Sequence, residues 1–185
     1  MDIIRKGIRF FIAAGMAAAL SACWLSDEPL IGADDRAAPA VEGKYLSNAE
    51  KQVTVTVTRQ DDGRYRFDDG KEPIMLAFLA LDGDWYLAEF EMRKDPEDVV
   101  GGEAAEPDGK EAFYLFQPMQ IIDGDLHFHM PECDEAFADI EGLKADNKIC
   151  EVETVGALRE LSKRFLARLA AGEVTEEANV LKRID

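Results

Sequence analysis

The most chemically suggestive residues in this sequence are His127-Phe128-His129. In a β-strand, residues two apart share a face about 7 Å apart along the chain. Some β metal sites present two imidazoles in this way, and Glu132 or Asp134 could add a carboxylate. Leu126, Phe128 and Met130 occupy the alternate positions, however, and read as a core face. The pattern therefore predicts two solvent-facing histidines rather than a metal site, and no metal or other cofactor is expected. Asp61, Asp62, Asp68, Asp69, Asp82, Asp84, Asp123 and Asp125 crowd short Gly-bearing segments. None matches a patterned calcium loop, and turn formation explains them. The chain has no Gly-x-Ser-x-Gly elbow, phosphate loop or dinucleotide fingerprint, and nothing singles out one carboxylate pair for acid–base work. No catalytic signature is present, and the expectation is a protein that is not an enzyme.

The elements that must position these residues follow from hydrophobic periodicity. Val53, Val55 and Val57 alternate with Thr54, Thr56 and Thr58, the pattern of a half-solvated strand. Asp-Gly pairs at 62–63, 69–70, 82–83, 108–109 and 123–124 mark tight turns between further strands, at residues 64–67, 73–81, 85–92, 112–122 and 126–130. Ile74–Leu81 is apolar on both faces and belongs at the centre of a sheet. Pro118 argues for a bulge or an edge within 112–122. The stretch 93–111 is acidic, carries Gly and Pro, and reads as a long loop. A short helix is expected over Asp134–Lys144. A clear one is expected from Thr154 to Ala171, with Leu158, Leu161, Phe165 and Leu169 as its stripe, Thr154 as N-cap and Gly172 ending it. Val180–Ile184 suggests a last edge strand. The fold class is α+β: an antiparallel β-meander, curled or barrel-like, with a C-terminal α-helix packed on it.

The N-terminus sets the compartment. Arg5, Lys6 and Arg9 precede the apolar run Phe10–Leu20, which is too short to span a bilayer, where ~20 residues are needed. Leu20-Ser21-Ala22-Cys23 follows at once. This quartet resembles the lipobox of bacterial lipoproteins. The resemblance implies that residues 1–22 are a cleaved signal peptide and that Cys23 is the lipid-modified first residue, anchored by several acyl chains. Trp24 after the Cys implies the outer membrane, facing the periplasm. Residues 24–42, rich in Ala, Asp and Pro and without periodicity, read as a flexible tether, so that 23–42 is lipidated Cys and linker, and 43–185 one β-rich domain.

In that oxidising compartment the remaining pair, Cys133 and Cys150, reads as one disulfide, worth about 3 kcal/mol by loop closure. Metal thiolates are the alternative, without the usual CxxC spacing. The chain carries 21 Lys+Arg against 38 Asp+Glu, a net charge of −17 at pH 7. Three of those bases and one acid lie in residues 1–22, so the remainder is more acidic still. Such a surface repels nucleic acid and attracts basic proteins, besides aiding solubility. The one basic concentration, Arg159, Lys163, Arg164 and Arg168, reads as a solvated helix face. The chain resembles small lipoproteins of two-membrane bacteria, a group that supplies no activity. The functional expectation is a non-enzymatic envelope lipoprotein, held to the membrane at Cys23, that binds a protein or envelope component, a basic protein among them. The alternative is a carrier of a small ligand or lipid, with aromatics such as Phe78, Trp85 and Phe116 around a lipocalin-like interior.

Overall fold

A computed structural model describes residues 23–48, 52–93, 112–146, 149–174 and 178–185. The leader 1–22, most of the expected loop 93–111 and the Asp108-Gly109 turn lie outside the described residues. The strands are β1 (Cys23–Ser26), β2 (Gly43–Ser47), β3 (Thr54–Arg59), β4 (Tyr65–Asp68), β5 (Ile74–Ala80), β6 (Trp85–Arg93), β7 (Ala112–Ile122), β8 (Asp125–His129), β9 (Leu143–Asp146), β10 (Ile149–Val152) and β11 (Ala178–Arg183); α1 is Val155–Ala170. Strands β2 to β8 run as the expected meander, every neighbour antiparallel. Strand β11 then pairs with both β8 and β2 and closes an eight-stranded barrel. It is not the edge strand its position at the chain end suggested.

Eight strands leave an interior that side chains just fill. Tyr45, Val57, Tyr65, Leu76, Phe78, Met119 and Leu126 occupy it with at most 1% exposure. Alternation then sends Ala77, Leu79, Leu87 and Phe116 to the outside of the barrel, where they need a second cover. Helix α1 supplies it through Leu158, Leu161 and Phe165. Its Thr154 Oγ1 accepts the Ala157 N–H at 3.1 Å, the expected cap. The stretch expected as a short helix over Asp134–Lys144 is instead a single 3-10 turn, Glu135–Phe137, followed by β9. Gly142, at φ +79° and with Thr154 Oγ1 3.1 Å from where a Cβ would stand, breaks the run between them.

Strand β7 outruns β8. Its Met119–Ile122 half pairs with β8, whereas Tyr114–Phe116 pairs with β1 on the same side. Pro118 sits at the fork between these two partners, which is how a proline is accommodated within a long, otherwise internal strand. Strand β1 continues into β10, parallel, and β9, antiparallel, forming a flap over the helix layer. Cys150 of β10 is bonded to Cys133, with Cα atoms 5.4 Å apart.

Residues 23–42 are the largest departure from expectation: they are packed chain rather than tether. Trp24 has no exposed surface and lies edge-on to Phe165 and Phe137, ring centroids 5.6 and 6.5 Å away. Leu30 and Ile31 donate their N–H groups to Glu89 Oε2 at 2.7 and 2.9 Å. Arg36 bridges to Leu79, and the Ala37 N–H reaches Phe78 O, where β5 extends past the shorter β4. Val41 enters the barrel interior, and the Tyr45 and Tyr65 hydroxyls donate to Val41 O and Pro39 O. Burial of an apolar residue every few positions compensates the ordering of this strap.

Two outcomes follow. Trp24→Ala is expected to destabilise the fold by about 3–5 kcal/mol in urea unfolding, and Trp24→Phe by much less, since the indole Nε1 has no acceptor to lose. A tether would register neither change. Burial pushes the Glu89 carboxyl above the ordinary range, outweighing the two strap N–H bonds and the Arg36 and Arg64 charges, which favour the ionised form. A folded-state value above the unfolded one gives stability that is full below the ordinary carboxylate range and lost as pH rises through the raised value. Glu89→Gln therefore gains on the wild type as pH rises across that window, read as the difference between their urea midpoints.

Candidate functional site

Both histidines lie on the outside of the barrel, because Leu126 and Phe128 take the interior positions of β8. They differ from expectation in exposure. His127 is half-buried opposite Gln120 and Val180, whereas His129 is 2% exposed, its ring centroid 4.7 Å from that of Trp85. His129 is thus a packed residue beneath an aromatic rather than a solvent-facing one. Glu132 is exposed, and Asp134 is engaged as the cap of the following 3-10 turn and by Arg168. Among the described residues no group of three or more His, Cys, Asp or Glu side chains is placed to hold a metal.

The basic helix face is largely neutralised. Arg159 pairs with Asp35 of the strap, Arg164 with Asp139 and Glu160, and Arg168 with Asp134 and Glu173. These pairs hold the helix to the strap and to the disulfide-bearing segment, and each is partly exposed, so each contributes little alone. Lys163 makes no ion pair with a described residue. The interior aromatics form the core: Tyr65 packs on Phe78 at 5.2 Å and Phe90 on Phe128 at 5.7 Å, while Trp85 and Phe116 face outward. Of the three aromatics expected around a ligand-holding interior, Phe78 is packed inside the barrel with Tyr65 and Phe67, whereas Trp85 and Phe116 lie outside it.

What the fold concentrates is charge. In a meander, alternate turns fall at the same end. The β3–β4, β5–β6 and β7–β8 hairpins therefore bring Asp61-Asp62-Gly63, Asp82-Gly83-Asp84 and Asp123-Gly124-Asp125 to one end of the barrel. The β5–β6 turn is bonded to the end of β7, the Ile121 N–H donating to Asp84 O at 3.1 Å, two residues before Asp123. Asp123 at φ +52° and Gly124 at φ +89° form the tight primed turn that Asp-Gly favours. The chain terminus joins the same end: Asp185 Oδ2 accepts the Lys44 N–H, and Asp125 Oδ1 accepts the Arg183 N–H.

Two arginines here are tied to acids, while Arg59 at the end of β3 makes no ion pair with a described residue. Arg64 holds Asp62, whose carboxyl lies below its ordinary range because it accepts the Arg64 backbone and side-chain N–H groups; Arg64 also pairs with Glu91, and Arg183 with Asp185. Asp61, Asp82, Asp84 and Asp123 are exposed and make no ion pair with a described residue. Among them stand Ile122 and Ile184, the large apolar side chains of greatest exposure among the described residues, at 40% and 53%. At the flank of this end an open groove of about 510 Å³ runs between the β5–β6 turn and the last turns of α1. Asp82, Gly83 and Asp84 form its rim, Trp85 and Gln120 its floor, and Leu166, Leu169 and Ala170 its wall.

The Asp-Gly pairs were visible in the sequence as turns. Their convergence follows from the parity of a meander, in which every second turn falls at the same end. Glu89, the strap's polar attachment, has no such signal. The chain matches no family model, no curated protein and no solved structure in the comparisons made.

An acidic end that serves binding rather than folding has a measurable signature. The triple variant Asp82→Asn, Asp84→Asn, Asp123→Asn removes unpaired like charges, so its thermal midpoint is expected to equal or slightly exceed that of the wild type, by less than about 1 kcal/mol in stability.

Proposed function

We propose that this chain is a non-enzymatic, lipid-anchored protein of the bacterial envelope that docks a basic protein on the acidic end of its barrel. The observation carrying the reading is that three hairpin turns present exposed, unpaired aspartates at one end, with Ile122 and Ile184 exposed among them. Unpaired charge of one sign steers an oppositely charged partner and sets orientation, while apolar side chains within the charged rim supply contact that persists once water is expelled. The four leader features favour the anchor: a basic head, an apolar run too short to span, small residues, and Cys23 directly after them. Cys23 also heads the first strand, so a lipid at that residue is joined to the fold without a linker.

Two measurements test the two halves. Mass spectrometry of the membrane fraction is expected to find an N-terminal peptide beginning at an acylated Cys23, with Cys23→Ser released from the membrane. An intact Met1 would overturn the anchor. For docking, a basic lysozyme serves as the probe. Its affinity is expected to fall by about tenfold or more between low and physiological salt, and comparably in the triple aspartate variant. Binding that is absent, or indifferent to both salt and the variant, would overturn the docking role.

A further inference from the structure

The groove beside the acidic end has a composition of its own. Its wall is aliphatic, its floor is an indole, and its rim is two carboxylates without a paired cation among the described residues. We propose that this groove receives one arginine side chain of the docked basic protein, an inference that rests on the reading of the barrel end as a docking surface. A guanidinium is planar, weakly hydrated and permanently charged, and it stacks on aromatic rings while donating a fork of N–H groups to carboxylates. Trp85 offers the ring, with the His129 ring packed against it at 4.7 Å between centroids and tilted by 43°. Asp82 and Asp84 offer the acceptors, on a hairpin whose Trp85 N–H donates to Asp82 O at 3.1 Å. Leu166, Leu169 and Ala170 are positioned to cover the methylene stem, the part of an arginine that prefers an apolar surface. Arg168 points to another side of the helix, tied to Asp134 and Glu173, and Lys163, which shares the face of Leu166 and Ala170, makes no ion pair with a described residue, so neither holds Asp82 or Asp84. A lysine would satisfy the charge but not the plane, so the site discriminates between the two.

The test uses the peptide acetyl-Gly-Arg-Gly-amide, with Lys and norleucine counterparts, titrated into the protein at low salt while the two tryptophan indole N–H signals are followed by NMR. Trp24 is fully buried in the helix layer and serves as the internal reference. The arginine peptide is expected to shift the Trp85 signal saturably and leave Trp24 unmoved. The lysine peptide is expected to bind several-fold more weakly, and the norleucine peptide to have no effect. Asp82→Asn with Asp84→Asn is expected to weaken the arginine peptide by about fivefold, and Trp85→Leu, followed through the backbone amide signals of residues 82–84 in place of the lost indole, to abolish binding. No saturable shift, an equal response to lysine, or an unchanged response in the aspartate variant would each overturn the inference. If lysozyme is still captured in a salt-dependent manner while Trp85 stays silent, the groove assignment fails and the docking surface stands. If the peptide binds and lysozyme does not, the docking reading fails and the groove remains an arginine site.

Discussion

Strand β7 must satisfy more backbone than its partner in the barrel can reach. Its eleven residues face only five in β8, and a bare row of N–H and C=O groups on Tyr114–Phe116 would be an open edge beside an apolar barrel wall. Strand β1 closes that edge, and Pro118 lies where β7 passes from one partner to the other. Much of the outer layer follows from this one constraint. Once β1 is in the ladder, Trp24 is driven against Phe116 and the helix, β10 adds to the far side of β1, and Cys150 is brought opposite Trp24 where it meets Cys133.

The strap then runs between two fixed points, β1 on the barrel's flank and Gly43 at its acidic end. It is short of regular structure, so its backbone polar groups need other partners. Glu89 takes two of them, β5 takes others through Arg36 and Ala37, and two interior tyrosines donate to Pro39 and Val41. A carboxylate buried to this extent is costly, and the two strap N–H bonds it accepts offset part of that cost. The protein thus spends a charge inside the outer layer while leaving several free at the barrel's end.

That contrast separates structure from binding. Acids that hold the fold are paired or bonded to backbone: Asp35, Asp134 and Asp139 to helix arginines, Asp125 to the closing strand, Asp185 to β2 and to Arg183, Glu89 to the strap. The aspartates flanking Gly83, together with Asp61 and Asp123, do neither, and they lie where the topology gathers the turns. Fields from like charges on one surface add, so gathering them costs some self-repulsion that the fold does nothing to relieve.

Features set by neighbours in sequence were legible there. The Val–Thr alternation, the Asp-Gly turns and the helix with its Thr154 cap and leucine stripe depend on φ/ψ preferences and on a period of two or 3.6, which a local stretch carries by itself. The apolar face of β8 belongs to the same class, whereas the pairing of Cys133 with Cys150 was legible from their number, as the two cysteines left once Cys23 is set aside. Barrel closure by residues 178–183, the conversion of 23–42 from expected linker to strand and strap, the burial of His129 and the role of Glu89 were decided only in three dimensions. Each depends on which distant segment supplies the missing hydrogen bonds or apolar cover. An Ala-, Asp- and Pro-rich stretch shows no period when its buried residues answer to an irregular surface rather than to their own repeat. Local chemistry chose the elements; the demand that every buried backbone group find a partner chose their arrangement.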